Sequence, residues 1–393
     1  MIKSAIMFGA GNVGRGFLGQ LFSESGYEVE FVDIDNAIIQ SINDKNRYTI
    51  RLVNNDWVDE VIVSPVRALH SQNTDQVAEA MSWADIGATA VGARVLPHIA
   101  PLVAQGVERR RLVNPQKPLN IIICENLKGA AKIFKEMVAG YLSSESKSYF
   151  ENHIGFVDTV IGRMIPPLVD ELRKKDPSLI IVEPYKELPV DKAGFIGEIP
   201  KIVGMEVCDN FPSYTARKLY IHNCGHAILA YFGYLRGHDY GYQALEDILI
   251  RKVFDGGLAE SSAGIVNYYG VEPEWVQNHI IELTQRFANR ALGDTILRLA
   301  RDPIRKLAST DRLVGAAKMC MEVNIIPEYL SWAIGAGFCY ADPQDPIALE
   351  LQEIIRSKGI EYALSTVSDL QSGEMLTNMV LDKYKRLQAG EMP

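Results

Sequence analysis

The sequence predicts an α/β domain built on a parallel, doubly wound sheet, followed by a mainly α-helical domain. Three observations predict it. A short apolar run, Ser4 to Phe8, ends in glycines and opens into a helical pattern. Apolar strands and amphipathic helices alternate through the first third of the chain. From about Pro212 the strand signals fade and long helical patterns take over. The β-α-β order implies parallel strands joined by right-handed crossovers.

Helical patterns run from about Val13 to Ser25 and from Asn36 to Asn43. Between them lies a strand, Val29 to Val32, closed by Asp33. Tyr48 to Val53 and Trp57 to Val63 read as a hairpin that turns at Asn54-Asn55-Asp56. Ile86 to Val91 and Leu119 to Cys124 are buried strands, each followed by a helical stretch. Strands near Gly155 to Val160 and Leu179 to Val182 are expected to close the sheet. Helices are then expected over Ser213 to Leu235, Tyr242 to Ala263, Pro273 to Asn289 and Ser309 to Glu322. Others follow over Pro327 to Phe338, Pro346 to Lys358 and Asp369 to Ala389. Ser309-Thr310-Asp311 and the pair Asp345-Pro346 are helix start signals. The boundary is placed in the loop Asp191-Lys192-Ala193-Gly194, giving domains of residues 1–193 and 194–393.

At 393 residues the chain is too long for one ordinary core and suits two domains. A net charge of −9 argues against a nucleic-acid partner held by a general basic surface. It leaves room for a small phosphorylated molecule, which needs only local cations. The five cysteines, Cys124, Cys208, Cys224, Cys320 and Cys339, are odd in number and widely spaced, without a CxxC. That disfavours a disulfide framework or a cysteine-rich metal site and suits a reducing compartment. The N-terminus runs straight into the first strand, leaving no room for a signal peptide. The longest uncharged apolar run, around Leu330 to Tyr340, falls well short of the ~20 residues that cross a bilayer. A cytoplasmic protein without a membrane partner is expected, as a monomer or small homo-oligomer.

Phe8-Gly9-Ala10-Gly11-Asn12-Val13-Gly14 contains G-x-G-x-x-G between a strand and a helix. Gly9 permits the tight turn, Gly11 lets backbone approach a pyrophosphate, and Gly14 lets the helix lie close to the strand. The helix start, with Ala10, Asn12 and Val13, offers N–H groups and a partial positive charge to phosphates. Asp33 lies about 20 residues on, where a carboxylate binds ribose hydroxyls and repels a 2′-phosphate. The pattern is that of a Rossmann domain, with NAD favoured over NADP; FAD, or a plain strand-helix turn, remains open. Val91 and Gly92, closing a later strand, fall near the cofactor edge or form an ordinary turn.

Lys218, Asn223 and His226 share one strongly helical window. At ~100° per residue they fall within an arc of about 140°. Oxidising an alcohol to a ketone requires loss of the hydroxyl proton as hydride leaves the carbon. A lysine can take that proton, an amide can donate to the developing alkoxide, and an imidazole can orient the same oxygen. No metal is needed for this chemistry. The alternative is a solvated Lys218 with Asn223 and His226 satisfied in the core. His222 and Cys224 read as structural.

Lys-x4-Asn-x2-His at Lys218, Asn223 and His226 resembles the catalytic helix of the polyol-specific long-chain dehydrogenases, the mannitol dehydrogenase family. The resemblance runs essentially end to end. It includes the glycine turn, Thr89-Ala90-Val91-Gly92, Leu119 to Asn126, Gly155-Phe156-Val157-Asp158, Ile165-Pro166-Pro167, Arg305-Lys306-Leu307 and Asp311-Arg312-Leu313. The length suits the sugar-phosphate branch. The resemblance implies NAD-dependent, metal-independent interconversion of D-mannitol 1-phosphate and D-fructose 6-phosphate. Lys218 would be the general acid/base, and Asn223 and His226 would hold the reacting oxygen. Asn126 would line the site near the nicotinamide, and Arg305, Lys306 and Arg312 are candidate phosphate ligands. Gly162 stands where the family commonly has an aspartate, Ala216-Arg217 where an acidic residue often lies, and no tryptophan occurs near Leu188. Another polyol phosphate, a free polyol or a uronate therefore stays open as substrate, as does an NAD-binding protein without turnover.

Overall fold

The computed structural model describes residues 3–393 in two compact units, one ending at Phe211 and one running from Pro212 to Pro393. The strands are β1 (Lys3–Phe8), β2 (Tyr27–Asp33), β3 (Tyr48–Val53), β4 (Val58–Val63), β5 (Val66–His70) and β6 (Ile86–Thr89). They continue as β7 (Leu119–Ile123), β8 (Ile154–Asp158), β9 (Ile180–Val182), β10 (Leu188–Asp191) and β11 (Met205–Cys208).

Six strands form a parallel sheet in the order β5-β2-β1-β6-β7-β8. Both faces are covered, which is why the strands read as continuous apolar runs rather than alternating ones. Ala5 and Met7 of β1 enter one hydrophobic cluster, and Ile6 and Phe8 enter the other. The strand order reverses between β1 and β6, and in doubly wound sheets ligands bind beyond the C-terminal ends of the strands at such a point.

In the first unit three features differ from the sequence expectation. The segment at Leu179–Val182 does not close the main sheet: β9 pairs with β3, in a separate sheet ordered β4-β3-β9. Its Ile180 and Val182 lie over Gly16 in the helix after β1. The strand β5 and the helix Thr74–Trp83 complete a β-α-β step that the sequence reading leaves unassigned. The loop at Asp191–Gly194, expected as the domain boundary, lies inside the first unit, because β10 on one side of it pairs in parallel with β11 on the other.

The second unit is helical throughout its length. Phe211–Arg217, a π-helical turn Lys218–Asn223 and Cys224–Leu235 follow one another without a break. The last of these is buried on almost every side and lies against Ile248–Tyr269, Ile296–Ala300 and Glu328–Phe338. The helix expected over Tyr242–Ala263 is broken at Asp247, whose extended backbone (φ −72°, ψ 120°) starts a new helix. Its carboxylate accepts from the N–H groups of Leu249 at 3.0 Å and Ile250 at 3.4 Å, a standard N-cap. The last helices run over Val314–Glu322, Glu328–Phe338, Pro346–Lys358, Ile360–Ser368 and Met375–Gln388. Among the described residues no helix is long and apolar enough to cross a membrane.

Candidate active site

The glycine turn follows β1 as a tight, crowded bend. Gly9 sits at φ +100°, and a Cβ there would lie 2.6 Å from the Ala90 carbonyl oxygen. A Cβ on Gly14 would lie 1.9 Å from the Gly9 carbonyl oxygen, so helix and strand can approach only without one. Gly11 is different: nothing lies within 4 Å of where its Cβ would be. The helix opens at Asn12 and Val13, with Asn12 exposed. Asp33 ends β2 and ties into the same turn. Its Oδ2 accepts from the Ala10 N–H at 2.6 Å, and its Oδ1 from the N–H groups of Ile34 and Asp35 at 2.7 and 2.9 Å.

The first turn of this helix, Gly14–Leu18, is π-helical. Two side chains from elsewhere hold its carbonyls. The Tyr48 hydroxyl donates to Arg15 O at 2.8 Å, and Arg163 Nη1 donates to Gly16 O at 3.0 Å. Arg15 is buried and donates to Ala10 O at 2.5 Å and Pro177 O at 2.9 Å, and burial lowers its pKa.

The neighbouring strand ends carry a buried carboxylate. Glu125, just past β7, is 5% exposed. Its Oε2 accepts from the Thr89 hydroxyl at 2.5 Å and its Oε1 from the Val91 N–H at 3.0 Å. Burial raises its pKa, while the donors at Thr89, Val91 and Gly92 oppose that rise. Gly92 (φ +89°) and Asn126 are exposed at this edge.

In the helical unit, the π turn explains how a lysine and an asparagine five residues apart can meet. In an α-helix they would point well apart. A π turn closes i→i+5 hydrogen bonds, so residues at that spacing stack along the axis. Lys218 Nζ donates to Asn223 Oδ1 at 3.0 Å. His226 lies one turn further on. Its ring is 4.0 Å from that of Phe287 and tilted by 31°, and 5.0 Å from that of His222. A pocket beside His226 is lined by Arg286, Tyr242, Asn289 and Asp294 among others.

The field here is positive. Burial first, and then Lys218, Arg298, Arg312 and Arg286, hold the His226 imidazole far below its ordinary pKa. Burial, Lys218 and His226 do the same to His222. Burial and Arg217, Arg286 and Lys218 do it to His279. His226 is therefore a neutral hydrogen-bonding group. Arg298 pairs with Asp294, and Arg312 with Asp311 at 2.7 Å. The arrangement can place an amine, an amide and a neutral imidazole around one oxygen that acquires negative charge.

The three expected phosphate ligands fare differently. Lys306 is buried, and its amine donates to the Leu299 carbonyl. Burial, then the charges of Arg312 and Arg305, push its pKa down to about 7. Arg305 is half-exposed, bonded to Asp302 at 2.6 Å and 3.7 Å from Asp311. Arg312 is buried but contributes to the field at His226. Sequence reasoning misses Glu125, Tyr48, Arg286 and Arg298 as contributors. A signal for Glu125 exists: a carboxylate directly following a wholly buried strand must find donors. Among the described residues no group of three or more His, Cys, Asp or Glu side chains could hold a metal ion. All five cysteines are free and buried, and burial pushes the Cys224 thiol up to about 12.

Sequence models of two domains match the chain: the mannitol dehydrogenase Rossmann domain over residues 3–204 and the mannitol dehydrogenase C-terminal domain over residues 210–388. A mannitol-1-phosphate 5-dehydrogenase of Brevibacillus brevis is 36% identical over 383 residues, covering 98% of each chain. One of Oceanobacillus iheyensis is 37% identical over 389 residues, covering 98% of this chain and 99% of the relative. Among solved structures, D-sorbitol dehydrogenase in substrate-free form superposes with a TM-score of 0.82 at 15% identity, covering 98% of this chain and 93% of that one. The ternary complex of Pseudomonas fluorescens mannitol 2-dehydrogenase with NAD and D-mannitol gives 0.74 at 14% identity, covering 99% and 92%. At these identities the structures share the fold.

Proposed function

The chain belongs to the mannitol dehydrogenase family, and from that premise we propose that it interconverts D-mannitol 1-phosphate and D-fructose 6-phosphate with NAD. The observation that carries the reading is the Lys218–Asn223 contact at 3.0 Å beside a neutral His226. It brings together an amine that can exchange the hydroxyl proton and two groups suited to an alkoxide, as interconversion of a secondary alcohol and a ketone demands.

The glycine turn suits a dinucleotide. Gly9 and Gly14 allow the close bend, and the open space at Gly11 leaves room for a pyrophosphate. Asn12 and Val13 begin the helix whose N–H groups would meet it. Asp33 is the proposed ribose ligand, and Val91, Gly92 and Asn126 are the proposed contacts on the nicotinamide side. Bound there, NAD would supply the hydride acceptor for the carbinol carbon. Lys218 takes the hydroxyl proton and releases it to solvent; in the reverse direction it protonates the ketone oxygen. Asn223 and His226 hold that oxygen throughout. The positive field favours a phosphorylated substrate, with Arg312 and the more exposed Arg305 as phosphate ligands.

A second reading, a different polyol phosphate on the same scaffold, draws on Gly162. A Cβ there would lie 2.9 Å from the Tyr185 ring, so that ring fills the space in which a longer side chain would start. The test is NADH oxidation with D-fructose 6-phosphate, fructose and related ketoses and ketose phosphates, followed spectrophotometrically. The proposal requires D-fructose 6-phosphate to give the highest kcat/KM. Turnover confined to another ketose phosphate supports the second reading, and no turnover of any ketose with NADH overturns both.

A further inference from the structure

We propose that Glu125 is a positioning residue for the nicotinamide half of the cofactor, acting by bracing the loop Thr89–Gly92 rather than by touching a reacting atom. The inference rests on the NAD reading above. In a doubly wound sheet the dinucleotide lies across the point where the strand order reverses, with one mononucleotide half on each side. Asp33, at the end of β2, belongs to the half on one side of β1. The strands β6 and β7 lie on the other side, and Glu125 joins their ends.

The bracing geometry is specific. Glu125 Oε2 takes the Thr89 hydroxyl at 2.5 Å, at the last residue of β6, and Oε1 takes the Val91 N–H at 3.0 Å, two residues later. The Thr89 carbonyl in turn accepts from Cys124 N–H at 3.0 Å, and Ala90 N–H donates to Phe8 O at 2.8 Å. One carboxylate thus fixes the exit of β6 against β7, while the same loop abuts the glycine turn through the crowded contact between Gly9 and Ala90. A carboxylate that is 5% exposed costs stability unless its oxygens are satisfied, and here its donors are a side chain and backbone of this one loop. An apolar residue at this position would fill the space with no desolvation cost. The carboxylate therefore serves the conformation of the loop.

Ligand fragments separate this role from a general structural one. Binding of NADH and of ADP-ribose, which lacks the nicotinamide, is measured by calorimetry for the wild type, Glu125→Gln and Thr89→Val. The glutamine substitution keeps the shape of the side chain but presents a single acceptor oxygen. The valine substitution removes the hydroxyl donor and leaves the carboxylate. We expect Glu125→Gln to weaken NADH about tenfold, the equivalent of one lost charged hydrogen bond, with ADP-ribose unchanged within about twofold. Thr89→Val should show the same pattern at smaller size. Equal weakening of both ligands, or no change in either, overturns the positioning role. A wild-type protein that binds neither ligand overturns the cofactor reading, and the proposal with it.

Discussion

Lys218 Nζ and Asn223 Oδ1 are 3.0 Å apart because the helix between them makes a π turn. A straight α-helix offers such a contact at i,i+4, or Lys-x3-Asn; the π turn offers it at i,i+5, or Lys-x4-Asn. The widened turn thus fixes which spacing of the two residues is productive. Asn223→Ala leaves the amine without this partner and removes an amide from the proposed alkoxide site. We expect kcat for D-fructose 6-phosphate reduction to fall about 100-fold, the usual cost of one lost alkoxide-stabilising donor. Steady-state kinetics on the purified variant check this; a change below about threefold would remove Asn223 from the site.

Asp33 holds the Ala10 N–H at 2.6 Å and is also the proposed ribose ligand. Asp33→Ser takes away the negative charge that opposes a 2′-phosphate. The ratio of kcat/KM for NADPH to that for NADH should rise at least about tenfold, as one charge–phosphate repulsion is relieved. Overall cofactor affinity should fall as well, since the turn loses a tie. An unchanged ratio would show that Asp33 serves the turn alone.

Lys306 carries a stability signature. Its pKa is pushed down to about 7 by burial and the adjacent arginines, against about 10.4 in an unfolded chain. Below about pH 7 both states are protonated and the buried charge is at its most costly. Between about pH 7 and 10 the unfolded state binds the proton and the folded state does not, so stability rises with pH. Lys306→Met should be more stable than the wild type at about pH 6, and should lose most of that advantage by about pH 9. Denaturant titrations at the two pH values measure the difference. An advantage that grows with pH would contradict the assignment.

The first β-α-β unit is legible as a strand, a glycine turn, a helix and a second strand ending at Asp33, but its π turn at Gly14–Leu18 is not. The Lys218, Asn223 and His226 set is legible as residue types but not as geometry. Regular helical spacing puts Lys218 and Asn223 far apart, and nothing local announces a π turn. β9 reads as part of the main sheet because a three-residue apolar run carries no information about its partner. β10 and β11 escape notice: Leu188-Pro189-Val190-Asp191 looks like a loop, and only pairing with Met205–Cys208 makes it a strand. That Lys306 is buried with its amine on the Leu299 carbonyl is not legible either, since tertiary packing alone decides it.

Lys218 is the group proposed to exchange the hydroxyl proton, the step on which the chemistry turns. Its most direct test is Lys218→Ala, with NADH binding and D-fructose 6-phosphate reduction measured on the same preparation. NADH affinity should stay within about twofold of the wild type, with kcat reduced by roughly 10²–10⁴, the range for a lost general acid. A variant that binds NADH and still turns over at near-wild-type rate would contradict it.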